Sequence, residues 1–582
     1  MATILKQKLK TVFVPTAMAL FLSACTGTSF FENPLTKTVK NEAYATSEFY
    51  INKAEQATDK EDKITYRLLA IRKLIDENKA FEAQNMFDEL NASLAEIQKN
   101  EIQKVEYNLV AAQLSALQAN NAQAAAQLKL VPMALLSKSQ LLRYHQTQAR
   151  IAENKKDVIE AVRARSLMSA QFSENRLRQE NNDQIWALLR NANKGVLSVA
   201  SAGPGETEFA GWLALIAVYN QNVSTPAQMP QGINNWKQLY PNHSAVSFMP
   251  AELQNVSNFQ QTQLNGVALL LPLSGDAKIL GDIIKKGFND AKGSDSIAVQ
   301  TYDTDSGSVE SILAQAKQQG AQTIIGPLLK SRVDEMLISP EIKGVNVLAL
   351  NSTPNVKAIP GVCYYGLSPE AEARAGADRL YRDGYSRAIV AAPQDDFGQR
   401  SADAFAQRWR QLTNTDADVR YYNIPQDSVV AIQNSGSIQG AALYALGTAE
   451  QLLELKQGVD NSVLAGQLAI YTSSRSNSPN NGIEFRTSME GVKFSEIPLL
   501  SDTDSDEYKK ADSLAASDFS MMRLYAMGSD AWALANKFNE FRQIPGYSVS
   551  GLTGNLTAGP NCNIEREMTW LQYRNGAVQS AN

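Results

Sequence analysis

The sequence predicts a multidomain chain, an all-α helical-repeat segment followed by a two-lobed α/β module, and three observations carry that prediction. Apolar residues recur every three or four positions through residues 64–90, and the pattern is echoed twice downstream. Near residue 255 the chain changes character, and unbroken apolar runs closed by glycine or proline begin to alternate with helical patterns. Ahead of both lies a short basic and apolar leader that ends on a cysteine.

In the leader, Lys6, Lys8 and Lys10 precede the uncharged run TVFVPTAMALFL, and the small residues Ser23 and Ala24 follow. The run is shorter than the about 20 residues of a permanent membrane span, and the order is that of a secretory signal over residues 1–24. Leu22-Ser23-Ala24-Cys25 resembles the bacterial lipobox. There the cysteine sulfur receives a diacylglycerol, the peptide is cut before it, and the new amino group is acylated. The resemblance implies a lipidated Cys25 at the head of a tether over residues 25–37, and several acyl chains make a durable anchor where one is marginal. Thr26 comes next, where an aspartate holds Gram-negative lipoproteins in the inner membrane, so threonine implies the outer one. The alternatives are a plain signal peptide and a buried helix with an incidental cysteine.

Residues 38–250 read as helix after helix. Leu68, Ile71 and Ile75, then Ala83, Phe87 and Leu90, make two apolar faces separated by Asp76-Glu77-Asn78-Lys79, the short turn of a helical hairpin. Tyr66, Ala70 and Ala83 are echoed 41 residues later by Tyr107, Ala111 and Ala124, and Tyr107, Ala112, Leu114 and Ala124 are echoed 37 residues later by Tyr144, Ala149, Ile151 and Ala161. Small alanines at helix crossings resemble tetratricopeptide repeats, with irregular spacing; a generic helical bundle is the alternative. Such arrays present surfaces to other chains.

Residues 251–265 form a linker, with NVSNFQQTQLN as its polar core, and the α/β module runs over residues 266–582. GVALLLPLSG is a buried strand and its loop, and a helical pattern follows it. SIAVQTYDTDSG, the end of VESILAQAKQQGAQTIIGPLL, VNVLALN and SRAIVAAPQDDFGQ supply further strands, and the alternation predicts a mostly parallel sheet long enough for two lobes.

Chemistry is sparse. A formal net charge of −5 gives no support to nucleic-acid binding. The two histidines, His145 and His243, lie far apart, and no cysteine and histidine set has metal-ligand spacing, so neither metal nor cofactor is expected. LPLSGD around Ser274 lacks the nucleophile-elbow pattern, and Asp395-Asp396 and SDTDSDEY read as solvated surface, so no catalytic residue is assigned. Export would place Cys363 and Cys562 in an oxidising compartment, as a disulfide or as two buried thiols.

VALLLPLSG, IIGPLL, LALNSTP and YYGLSPEAEARAGADRLYRDGYSRAIVAAPQDDFGQ resemble the type I periplasmic binding protein fold, whose two lobes close about a cleft with three crossovers. By position the resemblance assigns Ser274, Asn351, Ser352, Thr353 and Tyr471 to the cleft rim, where caps and turn closures are their other reading. The order of lipid, helical repeats and binding-protein module resembles the LpoA family of outer-membrane lipoproteins. That resemblance implies a non-enzymatic regulator of peptidoglycan synthesis, lipid-anchored in the outer membrane and facing the periplasm, with a class A penicillin-binding protein as partner. The alternative is a membrane-tethered receptor for a small polar solute.

Overall fold

The computed structural model describes residues 34–40, 43–353, 356–436 and 438–581, so Cys25 and its leader lie outside the described residues. The chain divides into two compact units, Met1–Phe209 and Ala210–Asn582.

The first unit is built from helical hairpins. Lys60–Asp76 pairs with Ala80–Glu89, Glu101–Leu117 with Asn121–Lys129, and Lys138–Asn154 with Val158–Met168. Each long helix starts on a side-chain cap. Asp59 accepts from the Asp62 amide, Asn100 from Ile102 and Gln103, and Ser137 forms a reciprocal box with Gln140. Each long helix is followed by a left-handed residue, Asn78, Ala119 and Lys156 in turn. Those stops lie 41 and 37 residues apart, the two spacings of the sequence echoes. Ala83, Ala124 and Ala161, at equivalent points of the second helices, are fully buried, which lets each pair approach closely. The cores follow suit: Leu68, Ile71, Leu74, Leu90, Val110 and Leu114 form one cluster, and Leu109, Ala112, Leu128, Tyr144 and Ile151 the next.

Polar groups tie one hairpin to the next. Gln103 Nε2 donates to the Glu61 carbonyl at 2.8 Å and Thr65 Oγ1 at 2.9 Å, and Asn154 Nδ2 to the Ala116 carbonyl at 2.8 Å. Arg143 Nη1 meets Glu106 Oε1 at 2.5 Å with both side chains buried. Burial pulls the Arg143 guanidinium down to about 10, against the raising effect of Glu106.

The second unit opens with helices, among them Met229–Leu239, whose Trp236 donates from Nε1 to the Gly211 carbonyl. Helix Ala251–Ser257 covers the start of the expected linker. The rest is irregular but held: Thr262 donates through N and Oγ1 to Glu540 and accepts from the Asn539 amide.

The first lobe carries strands β1 (Val267–Leu271), β2 (Val299–Asp303), β3 (Thr323–Ile325), β4 (Asn346–Ala349) and β5 (Val362–Tyr364), all parallel in the order β2-β1-β3-β4-β5. The second has β6 (Arg387–Pro393), β7 (Asp418–Tyr422), β8 (Ala441–Ala445), β9 (Ala469–Thr472) and β10 (Lys493–Glu496). A small antiparallel sheet follows, of β11 (Ser548–Ser550), β12 (Asn555–Ala558) and β13 (Ile564–Glu567). Then β14 (Thr569–Arg574) and β15 (Ala577–Ser580) join the second lobe antiparallel, giving the order β15-β14-β10-β9-β8-β6-β7. β1 is buried along its whole length, as an all-apolar parallel strand requires.

One helix, Phe519–Ala535, serves both lobes. Its Arg523 pairs with buried Glu496 of β10 at 2.6 Å. Burial alone would lower the Arg523 guanidinium; Glu496 and then Glu372 outweigh it and hold it above its ordinary value. One turn on, the helix crosses Lys278–Lys292 of the first lobe at backbone contact. A Cβ on Gly528 would stand 2.0 Å from the Ile284 carbonyl oxygen, and one on Gly287 1.9 Å from that of Tyr525, so glycine is required at both. Further along, buried Asp530 accepts from the Leu552 and Thr553 amides, from Thr553 Oγ1 at 2.6 Å and from Tyr365 Oη at 3.3 Å.

Candidate functional site

The chain passes from the first lobe to the second between β5 and helix Pro369–Arg382, and a cavity of about 440 Å³ opens there. The first-lobe wall carries Lys330, Ser352, Thr353 and Val356. The facing wall is made by helix Pro369–Arg382, with Glu370 and Arg374, and helix Asp396–Thr413, with Arg400, Asp403 and Gln407. Asn563 and Ile564 close one side. Ser368 caps its helix by accepting from the Ala371 amide, and Arg400 Nη1 meets Glu370 Oε1 at 2.9 Å, which locks the two wall helices together.

The five residues assigned to a cleft rim separate into three groups. Ser352 and Thr353 line this cavity. Asn351 stands behind them and closes the turn: its Nδ2 donates to the Leu328 carbonyl at 3.0 Å and its Oδ1 accepts from the Ser352 amide. Ser274 is exposed in the loop after β1 and hydrogen-bonds the Asp303 carboxylate. Burial would raise that carboxyl, and the bonds from Ser274 and the Leu273 and Asp305 amides hold it below its ordinary value. Tyr471 is buried in the second-lobe core and donates to Asp383 Oδ2 at 2.5 Å. Burial first, and the Asp383 carboxylate second, push its phenol far up. Asp383 follows the last residue of the helix that Ser368 caps, nine residues beyond Arg374 and so about 14 Å along the helix axis at 1.5 Å rise per residue, and Tyr471 does not line the cavity.

The residues that sequence reasoning did not single out are Lys330, Arg374 and Asp403. A signal was present in PEAEARAGADRLYR, an alanine-rich amphipathic helix carrying more charges than one solvent face needs.

Cys363 of β5 and Cys562 before β13 are joined in a disulfide across 199 residues of chain, and Tyr364 and Asn563 pair beside it in an isolated bridge. The linkage fixes Asn563 and Ile564 at the cavity rim.

The acidic pairs have structural work. Asp395 caps helix Asp396–Thr413 by accepting from the Gly398 amide at 2.7 Å, Asp396 pairs with Arg400, and Asp506 and Glu507 sit in the first turn of a helix capped by Ser505. His145 Nδ1 contacts Gln148, and His243 packs edge-on to Trp212 and Trp236. Among the described residues no group of histidine, cysteine and carboxylate side chains is arranged to hold a metal, and no helix is long and apolar enough to cross a membrane.

Comparison with known proteins places this geometry. The family model described as "LppC putative lipoprotein" matches residues 40–576. A Haemophilus ducreyi protein named penicillin-binding protein activator LpoA is 72% identical over 583 residues, covering 100% of both chains. A crystal form of Haemophilus influenzae LpoA with two molecules per asymmetric unit superposes with a TM-score of 0.81 at 47% identity, over 94% of this chain and 99% of that one. The separately crystallised C-domain of the Haemophilus influenzae protein, titled a regulator of PBP1A, matches with a TM-score of 0.53 at 50% identity, over 55% of this chain and 100% of its own.

Proposed function

The chain belongs to the LpoA family of penicillin-binding protein activators, and from that premise we propose that it is a non-enzymatic regulator that binds a class A penicillin-binding protein and stimulates peptidoglycan synthesis. The observation that carries this reading is identity at 72% of positions along the entire length of a relative bearing that name. Asp395 caps a helix, Asp396 pairs with Arg400 and His243 packs against Trp212, which fits a protein that acts by contact. The C-domain relative is described as a regulator of PBP1A, which supports putting the partner-binding surface on the second unit. A stable contact of this kind buries at least about 1,000 Å². Cys25 is the proposed anchor, with the chain tethered to the outer membrane and facing the periplasm.

Glycan polymerisation and peptide cross-linking by a purified class A synthase, with and without the mature chain, test the proposal. A raised rate together with direct binding is expected, and neither effect at saturating protein would refute it. The same assay on residues 210–582 tests the placement of the surface. Mass spectrometry of the mature N-terminal peptide should find acyl chains on Cys25, and Cys25→Ala should release the protein from membranes with stimulation in solution retained.

A further inference from the structure

We propose that the loop over residues 130–136 of the helical unit rests on the membrane that holds Cys25, with Leu130, Met133 and Leu135 entering the headgroup region and Lys129 and Lys138 meeting anionic phospholipid. The inference rests on Cys25 as the anchor and goes beyond it, since an anchor alone brings no folded surface against a bilayer.

The loop joins helices Asn121–Lys129 and Lys138–Asn154. It is apolar where a connection between helices is ordinarily polar. Val131 and Leu136 turn inward and pack in the cluster of Leu109 and Leu128. That leaves Leu130 at 63%, Met133 at 46% and Leu135 at 68% exposed. A single 3-10 turn, Met133–Leu135, fixes the path: the Leu135 amide donates to the Pro132 carbonyl and the Leu136 amide to that of Met133. Large apolar side chains held outward on one short loop mark a contact surface.

Charge says what the surface meets. Residues 107–152 contain no aspartate or glutamate, in a chain whose net charge is −5. Lys129 and Lys138 stand at the two ends of the loop, both exposed and without an ion pair among the described residues. The helix packed beneath, Glu101–Leu117, carries two acids, and both are already paired, Glu101 with Lys104 at 3.4 Å and Glu106 with Arg143 at 2.5 Å. An apolar tip between two unpaired ammonium groups suits a phosphate-bearing lipid surface.

The tether delivers the loop to that surface. Ser137, at the end of the loop, donates through Oγ to the carbonyl of Lys40, the last residue of helix Pro34–Lys40. Pro34 is the ninth residue after Cys25, a reach of at most about 30 Å, and the helix adds about 10 Å. At such range the lipid stays at high effective concentration, so a contact too weak to hold a free protein suffices.

The test uses the full mature chain anchored in vesicles of phosphatidylethanolamine and phosphatidylglycerol, with a fluorescent dye on Leu135→Cys or, as control, on Phe81→Cys. Cys363 and Cys562 are held in their disulfide, so the dye reaches the new thiol. Phe81 is 76% exposed but follows the stop at Asn78, whereas the loop leads into the Ser137 cap, at the opposite end of a long helix. Nitroxide on the lipid headgroups is expected to quench the dye at 135 and to spare the one at 81. Lys129→Glu with Lys138→Glu should lower the ratio of docked to undocked loop at least about tenfold, as should phosphatidylcholine in place of phosphatidylglycerol. Leu130→Ser should lower it about threefold. Melting temperatures check that each variant is folded.

An anchored chain with no quenching at 135, equal quenching at 135 and 81, or quenching untouched by the lysine changes overturns the proposal. So does a dye at 135 that is covered without lipid, by a second copy as concentration rises or by a purified class A synthase. A chain that leaves the vesicles altogether counts against Cys25 as the anchor instead, and a histidine tag at residue 25 on nickel-chelating lipid then reads the loop by itself. Stimulation of a synthase plays no part in the readout, so the activator reading and this one fail separately.

Discussion

The two units solve the problem of holding polar groups in a core at opposite ranges along the chain. In the helical unit most of the buried ties join residues one repeat apart, Gln103 to Glu61, Arg143 to Glu106 and Asn154 to Ala116, and Arg72 reaches Ser139 across 67 residues. In the second unit Tyr365 reaches Asp530, Tyr525 reaches Asp290, Thr262 reaches Glu540 and Cys363 reaches Cys562. Near ties make a unit whose parts open piecemeal, to the extent that each repeat leans on its neighbours rather than on distant ones. Distant ties make one that forms slowly and fails as a whole, because large loops close before any contact rewards them.

The comparison breaks most visibly at the buried ion pair. Glu106→Ala leaves Arg143 buried without its anion and should cost about 3–5 kcal/mol. Hydrogen exchange should quicken in residues 101–117 and 138–154 and leave Asn175–Arg190 protected. Loss of protection through all of residues 34–209 would show the unit to be a single cooperative block. In the second unit, replacing Cys363 and Cys562 by serine should cost about 2–4 kcal/mol. Here protection should fall together in β1–β5 and β11–β13, far beyond the linkage. Next comes Gly528→Ala, whose methyl would strike the Ile284 carbonyl; about 1–3 kcal/mol is expected, toward the upper end because backbone cannot yield as a side chain does. Urea unfolding followed by tryptophan fluorescence would read it as a lower midpoint.

The smallest effect is a pH dependence in the helical unit. Lys79, then the Ser47 amide and hydroxyl, hold the Glu77 carboxyl down at about 2 against an ordinary 4.5. A depressed acid stabilises the fold above its unfolded value, so the contribution is full above about 4.5 and is lost as pH falls toward 2. Glu77 is partly exposed, and solvent screening keeps the gain small. Glu77→Gln should lower the melting temperature slightly at neutral pH and converge with the parent near pH 2. A constant difference across that range would remove Glu77 as its source.

Much of this architecture was legible because its signals are periodic. The echoes of Tyr66, Ala70 and Ala83 carried the hairpin register, and runs such as VALLL carried the parallel strands. Strand β5 escaped because three residues hold no period; its existence depends on pairing with β4. Among the site residues, Ser352 and Thr353 were recognisable from the loop that follows a strand end. Tyr471 was not, since in a strand covered on both faces the sequence does not say which end or face a side chain serves. Arg374 could not be singled out either, because its lack of a partner results from Arg400 and Arg408 on another helix claiming the neighbouring acids Glu370 and Asp378.

The order of strands in the second lobe has a consequence for how the protein is made. β10 is flanked by β9 on one side and by β14 on the other, and β14 in turn by β15, the last strand in the chain. In synthesis and in export alike, these two strands arrive after everything else in the unit. Until residues 569–580 emerge, β10 presents a bare edge, ready to pair with any extended segment nearby. The helical hairpins close in turn as they appear. The α/β unit instead stays unfinished until its last strands arrive, so the emerging chain must be shielded longest at that one strand.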